Sequence, residues 1–338
     1  MSGPPGRRWL AWLLLAAAGA QQQAAGPGYP ECPGIPDDWM PECWEATYAR
    51  IQFGGDRTLY HTPFTSRRWG NALSPYWQAR ALAVVAGQGF NAFGGFSGAS
   101  WLAYLPKKLP PTTCPQPDRF RQACDMCDDS WAYAHRCSGA WTGIRPTIIA
   151  DTHAAMTAWA AASGARLPTF SDRDVVIQSR CSTDTVLSHP EYGPAAFSFY
   201  AAVPTDAASI LVVADPRDAL PLCAAIRAAK VAWLRARHPG ARVAVVGGTL
   251  SQDWARLVLA PRLFKDAQSS LGLWAALANK GEVWSVPMLP EFTRNRTTPD
   301  LGPRWHWVHA PVLLPHVAEA AGIEREDTAA IVRWLEAH

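Results

Sequence analysis

The sequence predicts an α/β protein whose C-terminal half carries a parallel sheet covered by helices on both faces. Two observations carry that expectation. Between residues 174 and 280, short runs rich in Val, Ile and Leu alternate with longer stretches at helical spacing, the pattern that crossover helices between parallel strands produce. Those short runs are also continuously apolar rather than alternating, as strands buried on both faces are.

The elements follow in order. Asp174 opens Val175-Val176-Ile177, a short apolar strand running into a polar loop. Ser209–Ala214 is a second strand, ending in Asp215-Pro216, and a helix from Leu220 to Arg237 follows it. Arg242–Val246 is a third strand, ending at Gly247-Gly248. Helices are expected over Asp253–Ala260 and Ser269–Asn279, with an amphipathic helix, Asp327–Ala337, closing the chain. In the N-terminal half, Thr58–His61 reads as a short strand. Asn71–Ala86 has Leu73, Tyr76, Ala79, Leu82 and Ala83 at helical spacing, with Gly87 and Gly89 as stop signals, and Thr147–Ala162 is a further helix. In parallel sheets ligands bind beyond the carboxyl ends of the strands. That singles out the loops after Ile177, after Ala214 and after Val246.

A chain of 338 residues has room for two domains. With 49% hydrophobic and 17% charged residues it builds packed cores. A net charge of +3 is too small and dispersed for a nucleic-acid surface, so no nucleic-acid partner is expected. The 17 Trp are high for this length; many are read as packing residues, although exposed indole faces also grip sugar rings. Arg7 and Arg8 precede an apolar run from Trp9 to Ala18 that leaves through Ala18-Gly19-Ala20. That is the pattern of a secretory signal, and the run is well short of the roughly 20 residues a membrane-spanning helix needs. A cleaved signal is the expectation, with a short signal anchor, and hence a membrane attachment, as the alternative. The expected layout is therefore a signal over 1–20, an irregular Pro-, Gly- and Gln-rich lead-in over 21–45, an N-terminal domain over 46–165 with a Cys-rich insertion, a C-terminal α/β domain over 166–320, and a terminal helix over 321–338.

All eight cysteines, Cys32, Cys43, Cys114, Cys124, Cys127, Cys137, Cys181 and Cys223, lie after the signal. An even count in an oxidising compartment reads as disulfides. Cys32 with Cys43 closes a small loop on this reading, and Cys114 to Cys137 holds two local bridges. The rival is a zinc site built on Cys124-x-x-Cys127 with Cys114, Cys137 or His135; compartment favours disulfides, and no metal is expected. Asn295-Arg296-Thr297 is an N-glycosylation acceptor consistent with the same compartment.

Three segments suit an anionic ligand. The loop Gln178-Ser179-Arg180-Cys181-Ser182-Thr183-Asp184 puts a guanidinium at a strand's carboxyl end, where its fork can donate two hydrogen bonds to paired phosphate oxygens; an ordinary Arg180–Asp184 ion pair is the plainer reading. Gln268-Ser269-Ser270 opens a helix, where unsatisfied N–H groups favour phosphate, though Ser caps helices routinely. Arg68-Trp69-Gly70-Asn71 lies at another helix start, and a capped helix with surface arginines nearby is the plainer reading there.

Their order along the chain resembles the fucosyltransferases. Gly70-Asn71 with Tyr76 and Ala79-Arg80-Ala81-Leu82-Ala83 resembles the Gly-Asn-x-x-x-x-Tyr-x-x-Ala-x-Ala-Leu-Ala segment of α1,2-fucosyltransferases. Val176-Ile177-Gln178-Ser179-Arg180 with Asp184 resembles the His-x-Arg-x-x-Asp strand-loop shared by the α1,2-, α1,6- and protein O-fucosyltransferases. Asp253 and Leu257, then Gln268-Ser269-Ser270-Leu271-Gly272-Leu273-Trp274-Ala275-Ala276-Leu277-Ala278-Asn279, resemble that superfamily's Ser-Ser-Phe-Ser-x-Trp-Ala-Ala-x-x-Asn helix. Two departures stand out: Gln178 replaces the usual His, and Cys181-Ser182-Thr183 adds one residue before Asp184. A Cys181–Cys223 bridge would fix that loop.

The resemblance implies a GT-B fold, two Rossmann-like domains facing across a cleft, with a GDP-sugar, most often GDP-fucose, as donor substrate and no bound metal or other cofactor. It implies donor contacts from Gly70, Asn71, Arg68, Arg180, Asp253, Gln268, Ser269 and Ser270, with the acceptor on the N-terminal side. Arg180 would stabilise the leaving diphosphate. Glu191, with Asp184 and His189 as rivals, is the candidate general base, since inverting transfer needs a group to take the acceptor's proton. The expected partner is a glycan or glycoprotein acceptor in the Golgi or endoplasmic reticulum lumen. The competing classes are a secreted carbohydrate-binding protein on a degenerate transferase scaffold and a non-enzymatic disulfide-rich protein.

Overall fold

The computed structural model describes residues 51–53, 58–61, 89–92, 100–109, 138–181, 193–214, 220–265, 269–286 and 302–338, with positions 73, 76, 77, 80, 83 and 186. All belong to one compact unit, Ile35–His338.

Four short strands form the first sheet: β1 (Ile51–Phe53), β2 (Thr58–His61), β3 (Gly89–Ala92) and β4 (Lys108–Leu109), in that order. The β1–β2 and β3–β4 pairs are antiparallel and β2–β3 is parallel. Between β2 and β3 the chain is helical at positions 73, 76, 77, 80 and 83, and Leu73, Tyr76, Trp77 and Ala83 are buried. The Tyr76 hydroxyl donates to the Pro106 carbonyl (2.9 Å), and burial drives its pKa upward. Tyr76 and Ala83, both quoted above for the resemblance, are thus core residues. Helix α1 (Ser138–Ser163) begins earlier than the expected Thr147, running through Pro146. A proline inside a helix forfeits one ladder hydrogen bond, and here the helix continues past it.

The second sheet has six strands: β5 (Asp174–Gln178), β6 (Ser209–Val213), β7 (Arg242–Val246), β8 (Arg262–Lys265), β9 (Glu282–Ser285) and β10 (Trp305–Trp307). Every neighbouring pair is parallel, in the order β10-β9-β8-β5-β6-β7. Counted along the chain this is 6-5-4-1-2-3, the doubly wound Rossmann order, which reverses direction between its first and fourth strands. Those strands are β5 and β8.

Helices α2 (Pro221–Arg237), α3 (Leu250–Leu259), α4 (Ser270–Ala278), α5 (Pro315–Ala320) and α6 (Thr328–Ala337) complete the unit. Each start has a local cause. Pro221 and Pro315 sit in the first turns of α2 and α5, where their missing N–H is no loss. Thr249 and Gln252 form a reciprocal capping box at α3. Ser269 caps α4 and Asp327 caps α6.

The sheet separates two cores. Along β5, Val175 and Ile177 face the core that contains residues of α2 and α6 and the 3-10 turn Phe197–Ala202, while Val176 faces the core formed with α1, α3 and α4. Side chains alternate faces along a strand, and that alternation decides the site geometry below. The second core is continuous with the first sheet: Trp101 stacks on Trp254 at 4.9 Å, and Leu73, Trp77 and Phe90 share the cluster with Trp274. The buried Trp77, Trp101, Trp254, Trp274 and Trp305 act as packing residues.

Candidate functional site

The sheet order reverses between β5 and β8, and in doubly wound sheets ligands bind at such a point, beyond the carboxyl ends of the strands. β5 ends at Gln178, and Ser179 extends its pairing by donating its N–H to the Val213 carbonyl (2.9 Å). From there the alternation of β5 persists. Gln178 and Arg180 turn toward α4, and Ser179 and Cys181 turn toward α2.

On the α4 side, Arg180 Nη1 donates to Ser269 Oγ at 3.1 Å, bridging 89 residues of sequence. Ser269 Oγ also accepts from the Gly272 N–H (3.4 Å), as a helix cap should. Arg180 thus reaches the first turn of α4, where backbone N–H groups and the helix dipole favour an anion. Gln178 is 5% exposed and lies against the same turn. A β-carbon placed on Gly272 would fall 1.9 Å from its Oε1, so the absence of a side chain at 272 is what admits Gln178. On the α2 side, Lys230 Nζ donates to Ser179 Oγ (2.9 Å), and a Cys181–Cys223 disulfide ties the loop to the first turn of α2.

Of the site residues expected from sequence, the structure brings together Arg180, Ser269 and the start of α4 at Ser270, with Cys181 joined to Cys223. Asp253 lies on the first turn of α3, ion-paired with Arg256 of the same helix. Asp184, Glu191, Arg68, Gly70, Asn71, Gln268 and Asn295, and the cysteines Cys32, Cys43, Cys114, Cys124, Cys127 and Cys137, lie outside the described residues, as do Asp215 and His189. Among the described residues no group of three or more His, Cys, Asp and Glu is placed to hold a metal ion, and no helix is long and apolar enough to cross a membrane.

Three features of the six-stranded unit are not signalled by the sequence pattern. β8 and β9 are each four residues with only two interior apolar positions, too short to register as strands; the pattern favours the loops after Ala214 and Val246 over the one after Lys265. Lys230 and Lys265 are buried cations. Lys230 occupies an inward position of α2, where an apolar residue is expected, and that misfit with the helical pattern is the available signal. Lys265 is in register with Gln178 across the β5–β8 pair. Asn279 is the third. Its Nδ2 donates to the carbonyls of Leu257 and Ala260 (2.8 and 2.9 Å), and its Oδ1 accepts from the Gly281 N–H (2.6 Å). The final residue of the Gln268–Asn279 block is therefore a buried tie between α3, α4 and the start of β9.

No protein-family model, curated protein or solved structure matches the chain.

Proposed function

We propose that this chain is an inverting glycosyltransferase that takes its sugar from a nucleotide diphosphate, GDP-fucose by preference, and passes it to a glycan or glycoprotein acceptor in the secretory pathway. The observation that carries the reading is the Arg180–Ser269 hydrogen bond across the point where the sheet order reverses. A doubly wound sheet offers its ligand crevice at that point. Arg180 supplies a fixed positive charge there, and α4 supplies N–H groups. Transfer from a diphosphate sugar leaves growing negative charge on the departing oxygen. Preorganised donors aimed at that charge are the strongest help such a site can give the reaction.

On this reading the two sheets are the cores of a GT-B pair, with the six-stranded half holding the donor and the N-terminal half facing the acceptor. Gly70, Asn71 and Arg68 approach the donor from the N-terminal side, Gln268 and Ser270 accompany Ser269 at the phosphates, and Glu191 or Asp184 takes the acceptor's proton. The reaction runs without a metal.

Incubating the full chain with labelled GDP-fucose and desialylated glycoprotein acceptors tests this. Label transferred to the acceptor in the presence of EDTA supports the proposal. Nucleotide binding with no transfer to any acceptor, joined to affinity for free glycans, would instead favour a carbohydrate-binding protein on a transferase scaffold.

A further inference from the structure

The α2 side of the Arg180 loop holds a second cation–serine pair. Ser179, Arg180, Arg227 and Lys230 lie together there, beside the Cys181–Cys223 bridge. Lys230 is only 4% exposed. Burying an ammonium is costly unless it is partnered, so its surroundings must hold it. It donates to Ser179 Oγ at 2.9 Å and lies 5.0 Å from the centre of the Tyr200 ring, a cation–π geometry.

The direction of that hydrogen bond matters. An ammonium has donors only, so Ser179 Oγ must be the acceptor, and its own hydroxyl proton is left to give elsewhere. The same logic applies across the sheet. Ser269 Oγ accepts from the Arg180 guanidinium and from the Gly272 N–H. Neither serine hydroxyl donates to a described group. The run Lys230–Ser179–Arg180–Ser269 therefore places two hydroxyl donors, each polarised by a cation, on either side of one guanidinium.

We infer that Lys230 is a positioning residue for a diphosphate: it polarises Ser179 so that the hydroxyl donates to one phosphate, while Arg180 and Ser269 take the other. The identification of the ligand as a nucleoside diphosphate rests on the function proposed above; the anion site itself does not. Lys230 acts through Ser179, so the two residues form one unit.

The test measures binding of GDP, GMP, guanosine and inorganic pyrophosphate to the full chain and to Lys230→Met, Ser179→Ala and the double variant. Methionine keeps the apolar stem of Lys230, and Ser179→Ala covers the case in which the buried lysine is needed for folding. The expected result is at least a tenfold loss of GDP affinity in each single variant, little change for guanosine, and a double variant no weaker than the singles. A merely structural role would weaken all ligands alike. GDP and pyrophosphate binding at wild-type strength in both single variants overturns the inference, and it does so without touching the transferase reading if Arg180→Ala still abolishes GDP binding. If the wild-type chain binds pyrophosphate but no nucleotide, and Lys230→Met weakens it tenfold, the anion site stands and the transferase reading fails. Absence of both pyrophosphate and GDP binding by the folded wild-type chain overturns the inference.

Discussion

The side chain of Gln178 fills the space that a β-carbon on Gly272 would need, with its Oε1 1.9 Å from that position. The larger group on β5 is matched by the smallest one on α4. Replacing Gly272 by Ala normally gains about 1 kcal/mol of helix propensity. Here the clash should outweigh it, with a net loss of about 1–3 kcal/mol, the usual size of overpacking strain. Combining Gly272→Ala with Gln178→Ala should recover most of that loss. Urea unfolding of the two singles and the double closes the cycle, and additive losses would show that the two side chains do not share the space.

The Cys181–Cys223 bridge closes a loop of 42 residues. Loop-closure entropy for that length gives about 4 kcal/mol. The double variant Cys181→Ser/Cys223→Ser should lower the free energy of unfolding by up to that amount. An unfolding midpoint unchanged in the double variant would contradict the pairing.

Asn279 satisfies three backbone groups at once. Its replacement by Ala strands two carbonyls and one N–H in a buried position. With about 1 kcal/mol for each such hydrogen bond and more where the partner is left unsatisfied, Asn279→Ala should cost about 2–4 kcal/mol in denaturant unfolding. Asn279→Asp keeps the acceptor but loses the two donations, and should fare no better.

His153 of α1 donates from Nε2 to the Ala278 carbonyl (3.2 Å) at the end of α4, beside a cavity of about 540 Å³ that Asp172, Arg262, Lys280, Glu282 and Arg304 also line. Burial, then the nearby Lys280 charge, holds its pKa below the ordinary histidine value. The folded state therefore resists a proton that the unfolded state takes up. Stability from this group is intact above about pH 6.5, the unfolded value, and declines as pH falls below it. The unfolding midpoint should fall between pH 7.5 and pH 5.5, and His153→Gln should shrink that fall. An equal fall in the variant would assign the pH dependence to other groups.

Much of the six-stranded unit is legible in the sequence, because β5, β6 and β7 are continuous apolar runs and α2 and α4 carry helical spacing with local start signals. The expected strand Arg242–Val246 matches β7 to the residue. What stays hidden is short, or polar where the pattern expects apolar. β8 reads Arg-Leu-Phe-Lys, and its basic ends disguise a strand whose Lys265 is buried. Lys230 is hidden for the same reason. The strand order is set by tertiary packing, which a local pattern does not carry, so the reversal between β5 and β8 is visible only in the structure. Arg180 is visible in the sequence as a cation at a strand's end and Ser269 as a helix cap. Their meeting follows from which strands are neighbours.

The most direct measurement is calorimetric titration of GDP and UDP into the purified full chain and into Arg180→Ala. The account predicts micromolar binding of GDP to the wild-type chain, weaker binding of UDP, and at least a tenfold loss of GDP affinity in Arg180→Ala with folding unchanged. A folded wild-type chain that binds neither nucleotide, or an Arg180→Ala variant that binds GDP as well as the wild type, would contradict it.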